Sequence, residues 1–130
     1  MKTTEIFSKG QKVSINFTGD AWLSMLSEDV KNLDTTVYNV TFAPGSRNYW
    51  HTHPYGQILL CTSGEGYYQE KGQPKKLLKA GDVVEIKPNV VHWHGATPHS
   101  EFVHIGITPQ ASRNNAVWLG PVPDEEYLNY

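Results

Sequence analysis

Glycine or proline interrupts residues 44–109 at short intervals, and the stretches between the breaks are rich in β-branched and aromatic residues. No other feature constrains the fold as strongly. Inside a helix Gly costs about 1 kcal/mol and Pro about 3 kcal/mol relative to Ala, so long helices are excluded here. The intervening stretches instead suit strands. TTVYNVTFAP (35–44) ends at Pro44-Gly45, and QILLCTSG (57–64) is a buried strand closed by Gly64. GEGYYQEKGQP (64–74) makes a strand and a turn. Residues 75–78 and 83–86 are two more predicted strands, flanked by turns at Ala80-Gly81-Asp82 and Pro88-Asn89. VVHWHGAT (90–97) and EFVHIGIT (101–108) complete the set. Strands spaced by roughly 8–12 residues with turn signals between them point to an all-β, antiparallel sandwich or barrel. Two segments stand apart. WLSMLSEDVKNL (22–33) carries Trp22, Met25, Leu26 and Val30 at helix-like spacing, yet its pieces also read as strand then loop. PDEEYLNY (123–130) reads as a short helical turn with Asp124 as a possible cap.

With 130 residues the chain has the size of a single domain with a genuine core. No repeat, linker or low-complexity segment divides it. The net charge of −2 and the lack of a basic stripe give nucleic-acid binding no electrostatic support. No apolar run approaches the ~20 residues that a membrane-spanning helix needs. MKTTEIFSKGQK (1–12) has no apolar core of a signal peptide. The single cysteine, Cys61, excludes an internal disulfide and sits in the apolar run ILLC as a buried filler. A cytoplasmic location is the expectation.

The histidines are arranged unusually. Five of the six fall in three strand-like segments, and four of those form two HxH pairs beside turns, His51/His53 and His92/His94. In a strand, residues i and i+2 share a face, so each pair can present two imidazoles in one direction. Gln57 opens the strand after the Pro54-Tyr55-Gly56 turn, where its carbonyl oxygen can return to the same ion. His92 or His94 can supply a further ligand from a strand across the barrel, and His104 can also point inward. Imidazole is a common ligand of transition metals. His99, in the loop TPHSE, reads as a surface residue. By strand parity Tyr38, Val40 and Tyr49 are candidate pocket walls, whereas Trp50 and Trp93 should face away from the metal. Arg47 reads as a solvated loop arginine more readily than as a binder of an anionic substrate.

These motifs resemble those of the cupin superfamily. Gly45, five residues, His51-Thr52-His53, three residues, Gln57, six residues and Gly64 resemble the first cupin motif; Gly81-Asp82 through Pro88 to His92 resembles the second. The resemblance implies a double-stranded β-helix, the antiparallel jelly-roll barrel. It implies one domain over 1–130, with a core at about 35–110 and an N-terminal strand arm and C-terminal tail packing outside. It also implies His51, His53, Gln57 and His92 around one divalent transition metal per chain. Three positions depart from the pattern: Gln57 replaces the usual glutamate, Val90 a glycine and Ala96 an asparagine. A three-His, one-Gln set is neutral and leaves the metal's full charge to polarise a substrate oxygen.

HTHPYGQ, GDVVEIKPNVVHWHGA and the ending WLGPVPDEEY look most like the small bacterial manganese cupins, some of which are hydroxynitrile lyases. That likeness implies manganese, with iron, nickel or zinc as the other candidates, and a homodimer that exchanges N-terminal strands. It places His94 and His104 near the metal, where an unligated imidazole can move a proton near pH 7; for His94 a hydrogen bond that orients a ligand is an equal reading. The implied function is a lyase acting on a small oxygen-bearing substrate by Lewis-acid and proton-transfer chemistry. The alternatives are a non-catalytic cupin holding a small ligand such as a sugar acid and, more weakly, a dioxygenase.

Overall fold

The computed structural model describes residues 6–129; residues 1–5 and 130 of the predicted domain lie outside the described residues. In chain order the strands are β1 (Gln11–Val13), β2 (Phe17–Thr18), β3 (Ala21–Ser27), β4 (Thr35–Phe42), β5 (Arg47–Asn48) and β6 (Trp50–Thr52). They continue with β7 (Gln57–Glu70), β8 (Lys76–Lys79), β9 (Val83–Ile86), β10 (His92–Ala96) and β11 (Phe102–Pro109). A 3-10 turn at Ala111–Arg113, β12 (Val117–Gly120) and the helix α1 (Asp124–Leu128) complete the chain. No helix of the described residues is long and apolar enough to cross a membrane.

All the strand pairs are antiparallel, and they form two faces of a nearly closed barrel. One face runs β1-β3-β4-β11-β7-β9. The other joins β8, β7 and β10, with β5 and β6 on the far side of β10, β2 on β5 and β12 on β6. This is the double-stranded β-helix. The 22–33 segment takes its strand-then-loop form, because residues 21–27 of β3 are zipped onto 37–42 of β4. Cross-strand pairing and burial thus override the local helical spacing.

Strand β7 departs from the sequence reading. Gly64 does not end a strand; one 14-residue strand runs through it. Its first half pairs with β11 and β9, its second half with β10 and β8, so it belongs to both faces. Gly64 has φ 74°, and a Cβ there would lie 1.8 Å from the Glu101 carbonyl oxygen. The glycine is therefore a bend at a close backbone approach, not a break.

Phe42, Leu59 and Phe102 are completely buried between the faces, with Val40, Cys61 and Ile86 around them. Each such side chain stabilises the fold by roughly 1.5–3 kcal/mol through burial alone. Burial, with Asp82 nearby, pushes the Cys61 thiol up to about 11, which fits an inert filler. Trp50, Trp93, Val122 and Tyr127 form a second cluster. Trp50 and Trp93 alternate with the histidines along β6 and β10, so they point the other way.

Arg47 corrects the expectation of a solvated loop residue. It is 5 % exposed, donates to the Val122 carbonyl and to the Asp124 carboxylate at 2.7 Å each, and lies 4.3 Å over the Tyr127 ring. Asp124 consequently does not cap α1; Pro123 holds the cap position without a side-chain bond. The Tyr127 hydroxyl donates to the Ala96 carbonyl at 2.5 Å and completes a lock between the C-terminal tail and the barrel. Arg47→Ala strands the buried Val122 carbonyl and is expected to cost roughly 2–3 kcal/mol. Urea unfolding at neutral pH measures this, and an unchanged midpoint would show that the lock adds nothing.

Candidate metal centre

His51 in β6 and His92 in β10 are cross-strand partners, so their rings meet on the inner face. His53 follows β6 at the mouth of the turn, where its carbonyl accepts from Gly56 N–H at 3.2 Å and Asn89 N–H at 2.9 Å. The three histidines are buried and bring one ring nitrogen each within 4.8 Å of one another. Backbone contacts set two of the tautomers. His51 Nδ1 donates to the Tyr49 carbonyl at 2.7 Å and His92 Nδ1 to the Val90 carbonyl at 2.9 Å. The Nε2 lone pair of each ring is thereby left for the cluster.

Gln57 opens β7 in the same cavity. Its Nε2 donates to the Tyr38 hydroxyl, and its buried Oε1 makes no well-formed hydrogen bond among the described residues. His92 Nε2 and both nitrogens of His53 are also buried without a well-formed hydrogen bond. An unpaired buried polar atom costs about 1–3 kcal/mol. Several lone-pair donors gathered around one point are what a cation would satisfy, and three imidazoles plus an amide oxygen suit a divalent transition metal. The residues fit the group.

Burial pushes every ring in this region below the usual imidazole range. His53 falls to about 4, mainly by burial and then by His92 alongside, with the Asn114 backbone and Gln57 offsetting part of it. His92 falls to about 4 by burial, and His51 lies well below its ordinary value by burial and then by His92. His94 is likewise far down, by burial and then by His104, while burial takes His104 to about 4. These rings are neutral at pH 7, the form that binds metal or accepts a proton.

The shifts imply a pH dependence for the metal-free protein. Between about pH 4 and the unfolded value of 6.5, the unfolded chain holds more protons on His53, His92 and His104 than the folded chain does. Stability is therefore fully present above 6.5 and lost as pH falls through that window. Each of the three rings is worth up to roughly 3 kcal/mol. Urea midpoints of chelator-treated protein at pH 7 and 4.5 measure the loss; a flat profile would contradict it.

His51, His53 and Gln57 line a cavity of about 240 Å³. Its walls are Phe17, Leu23, Val40, Phe42, Ala116 and Trp118, and its polar lining also includes Tyr38, Asn48, His94 and His104. Among the described residues no Lys, Arg, Asp or Glu lines it. His94 and His104 meet edge to face at 4.8 Å between ring centroids. Asn48 Oδ1 accepts from the His94 backbone N–H at 2.9 Å, and Asn48 Nδ2 lies 3.2 Å from His94 Nε2. Neither nitrogen of His104 makes a well-formed hydrogen bond among the described residues, although the residue is completely buried. The alternation along β11 is settled: Phe102, His104 and Gly106 are buried, while Val103, Ile105 and Ile107 are half-buried.

Tyr38 and Val40 line the cavity as parity predicts; Tyr49 does not. Tyr49 falls in the break between β5 and β6, where its N–H bonds the Asn16 carbonyl, so strand parity does not carry across it. Asn48 takes the inward place. His99 is exposed. Sequence reasoning missed Asn48, Phe17, Leu23, Ala116 and Trp118. The C-terminal segment does more than pack outside: β12 pairs with β6, and the Trp118 ring stacks on His51 at 4.5 Å.

The Cupin domain family matches residues 38–105, just over half of the chain. The chain belongs to the cupin family. Among curated proteins, this cupin is 42% identical over 111 residues to the (R)-mandelonitrile lyase of Granulicella tundricola, covering 85% of each chain. Among solved structures it is similar to a cupin-like protein from Thermotoga maritima, with 55% identity, a TM-score of 0.92 and 95% of each chain covered. A cupin 2 conserved barrel domain protein from Rhodopseudomonas palustris shares the fold, at 19% identity and a TM-score of 0.73 over 88% of this chain and 77% of that one.

Proposed function

We propose that this cupin is a metal-dependent lyase acting on a small, neutral, oxygen-bearing substrate of the cyanohydrin type. His51, His53, His92 and Gln57 hold one divalent transition metal, with manganese ahead of iron, nickel and zinc. One observation carries the reading: His51 and His53 of the buried three-His cluster share with His94 and His104 a cavity that no charged side chain of the described residues lines. The relationship to a mandelonitrile lyase supports the same chemistry.

When bound, the metal supplies positive charge that polarises a substrate oxygen. The remaining work falls to this chain. Phe17, Leu23, Phe42 and Trp118 give the substrate an apolar enclosure, and Tyr38 and Val40 narrow it. His94 or His104, neutral at pH 7, accepts the substrate hydroxyl proton. The O–H electron pair becomes the carbonyl π bond, and the bond to the nitrile carbon breaks with its pair on cyanide. The proton then passes to cyanide, leaving an aldehyde and hydrogen cyanide. The sugar-acid alternative is weaker, because no cationic side chain of the described residues lines the cavity to meet a carboxylate. The dioxygenase alternative requires activity that depends on oxygen.

The reading extends to a homodimer in the cytoplasm. A single buried cysteine and the exposed apolar Ile15, Val117 and Leu119 are consistent with it. The deciding experiment loads purified protein with manganese and assays mandelonitrile cleavage with and without air. Cyanide release that tracks metal content and ignores oxygen is the expected result. Full metal occupancy without cleavage would leave a binding protein.

A further inference from the structure

We infer that Tyr38, backed by Thr108, is a positioning residue that decides which end of the Gln57 amide faces the histidine cluster. The inference rests on Gln57 being a metal donor. A glutamine amide has two ends of nearly equal shape, and only the oxygen can ligate a cation. Turned the other way, it would aim two N–H groups at the positive charge. The side chain needs an external partner to break the tie.

Tyr38 supplies that partner. Its hydroxyl accepts from Gln57 Nε2 and lies 2.9 Å from Thr108 Oγ1. With its proton directed to Thr108, the hydroxyl keeps a lone pair for the amide N–H. A donating N–H also pushes electron density onto the amide oxygen and makes it a better ligand.

The ring itself is held in place. Tyr38 and Gly106 are cross-strand partners on β4 and β11. A Cβ at Gly106 would lie 2.5 Å from the Tyr38 ring, so the phenol lies against bare backbone that only glycine offers. Tyr38, Gly106, Thr108 and Gln57 thus form one unit whose product is an orphaned oxygen in the cavity.

A carboxylate at position 57 would need none of this, because both its ends are oxygen. That difference gives the test. Manganese(II) dissociation constants are measured by competition titration for wild type, Tyr38→Phe, Gln57→Glu and the double variant, with the manganese EPR spectrum of each and thermal melting as a folding check. Tyr38→Phe is expected to weaken manganese binding 10–100-fold and alter the spectrum. In the Gln57→Glu background the same change is expected to stay within about twofold. Thr108→Val, which keeps the phenol, is expected to weaken binding in the same direction and covers the case of a Tyr38→Phe chain that melts early. Equal weakening in both backgrounds would show that Tyr38 acts through packing and would overturn the inference. So would unchanged binding by Tyr38→Phe and Thr108→Val, with the metal site itself intact. A wild type that binds no manganese would instead remove the metal reading on which the inference stands.

Discussion

His53→Ala is expected to empty the centre. Metal content should fall from about one ion per chain to near zero, since the ion loses one of only three imidazole donors. Lyase turnover should fall to the background of free metal. His53 is the clearest choice because neither of its nitrogens makes a well-formed hydrogen bond among the described residues. The fold should survive, because the substitution removes a buried polar ring that the metal-free protein leaves unsatisfied. Elemental analysis after gel filtration, together with the melting temperature, separates loss of metal from loss of structure. Retention of full metal by the variant would place the ion elsewhere and dissolve the site described above.

His104→Leu is expected to divide function from stability in the opposite way. Metal content should be unchanged, because His104 is not part of the three-His cluster. Turnover of mandelonitrile should fall by about 10²–10⁴ if the ring moves the substrate proton. The melting temperature should stay level or rise, since two buried nitrogens without a well-formed hydrogen bond disappear and Phe42 and Phe102 already provide apolar neighbours. A stable variant with normal turnover would assign proton transfer to His94 or to water.

The parts of the site governed by strand parity were legible in the sequence. The inward faces of His51, His92, His94 and Val40 follow from a period of two, and the outward Trp50 and Trp93 follow with them. Legibility ended where the period broke. Tyr49 shares the parity of His51 but sits in the gap between two short strands, so Asn48 rather than Tyr49 reaches the cavity. Gly64 looked like a stop because a glycine that ends a strand and one that bends it have the same one-letter signal. Trp118 was invisible for another reason. Only the pairing of β12 with β6 sets it on His51, and no local pattern encodes a contact between residues so far apart in the chain. Arg47 misled through its charge, which usually marks surface; here a carboxylate, a carbonyl and an aromatic ring together compensate its burial.

The shared strand β7 carries a consequence for how the molecule comes apart. Because its two halves are hydrogen-bonded into opposite faces, neither sheet can dissolve without stripping the other of a strand. The barrel therefore lacks a seam. Heat or denaturant should unfold it in a single all-or-none transition, and fragments cut near residue 64 should not form a stable half. Assembly must wait for partners distant in the chain, such as β4 with β11, which favours slow folding. The ring cage between the sheets inherits that cooperativity: it exists whole or not at all.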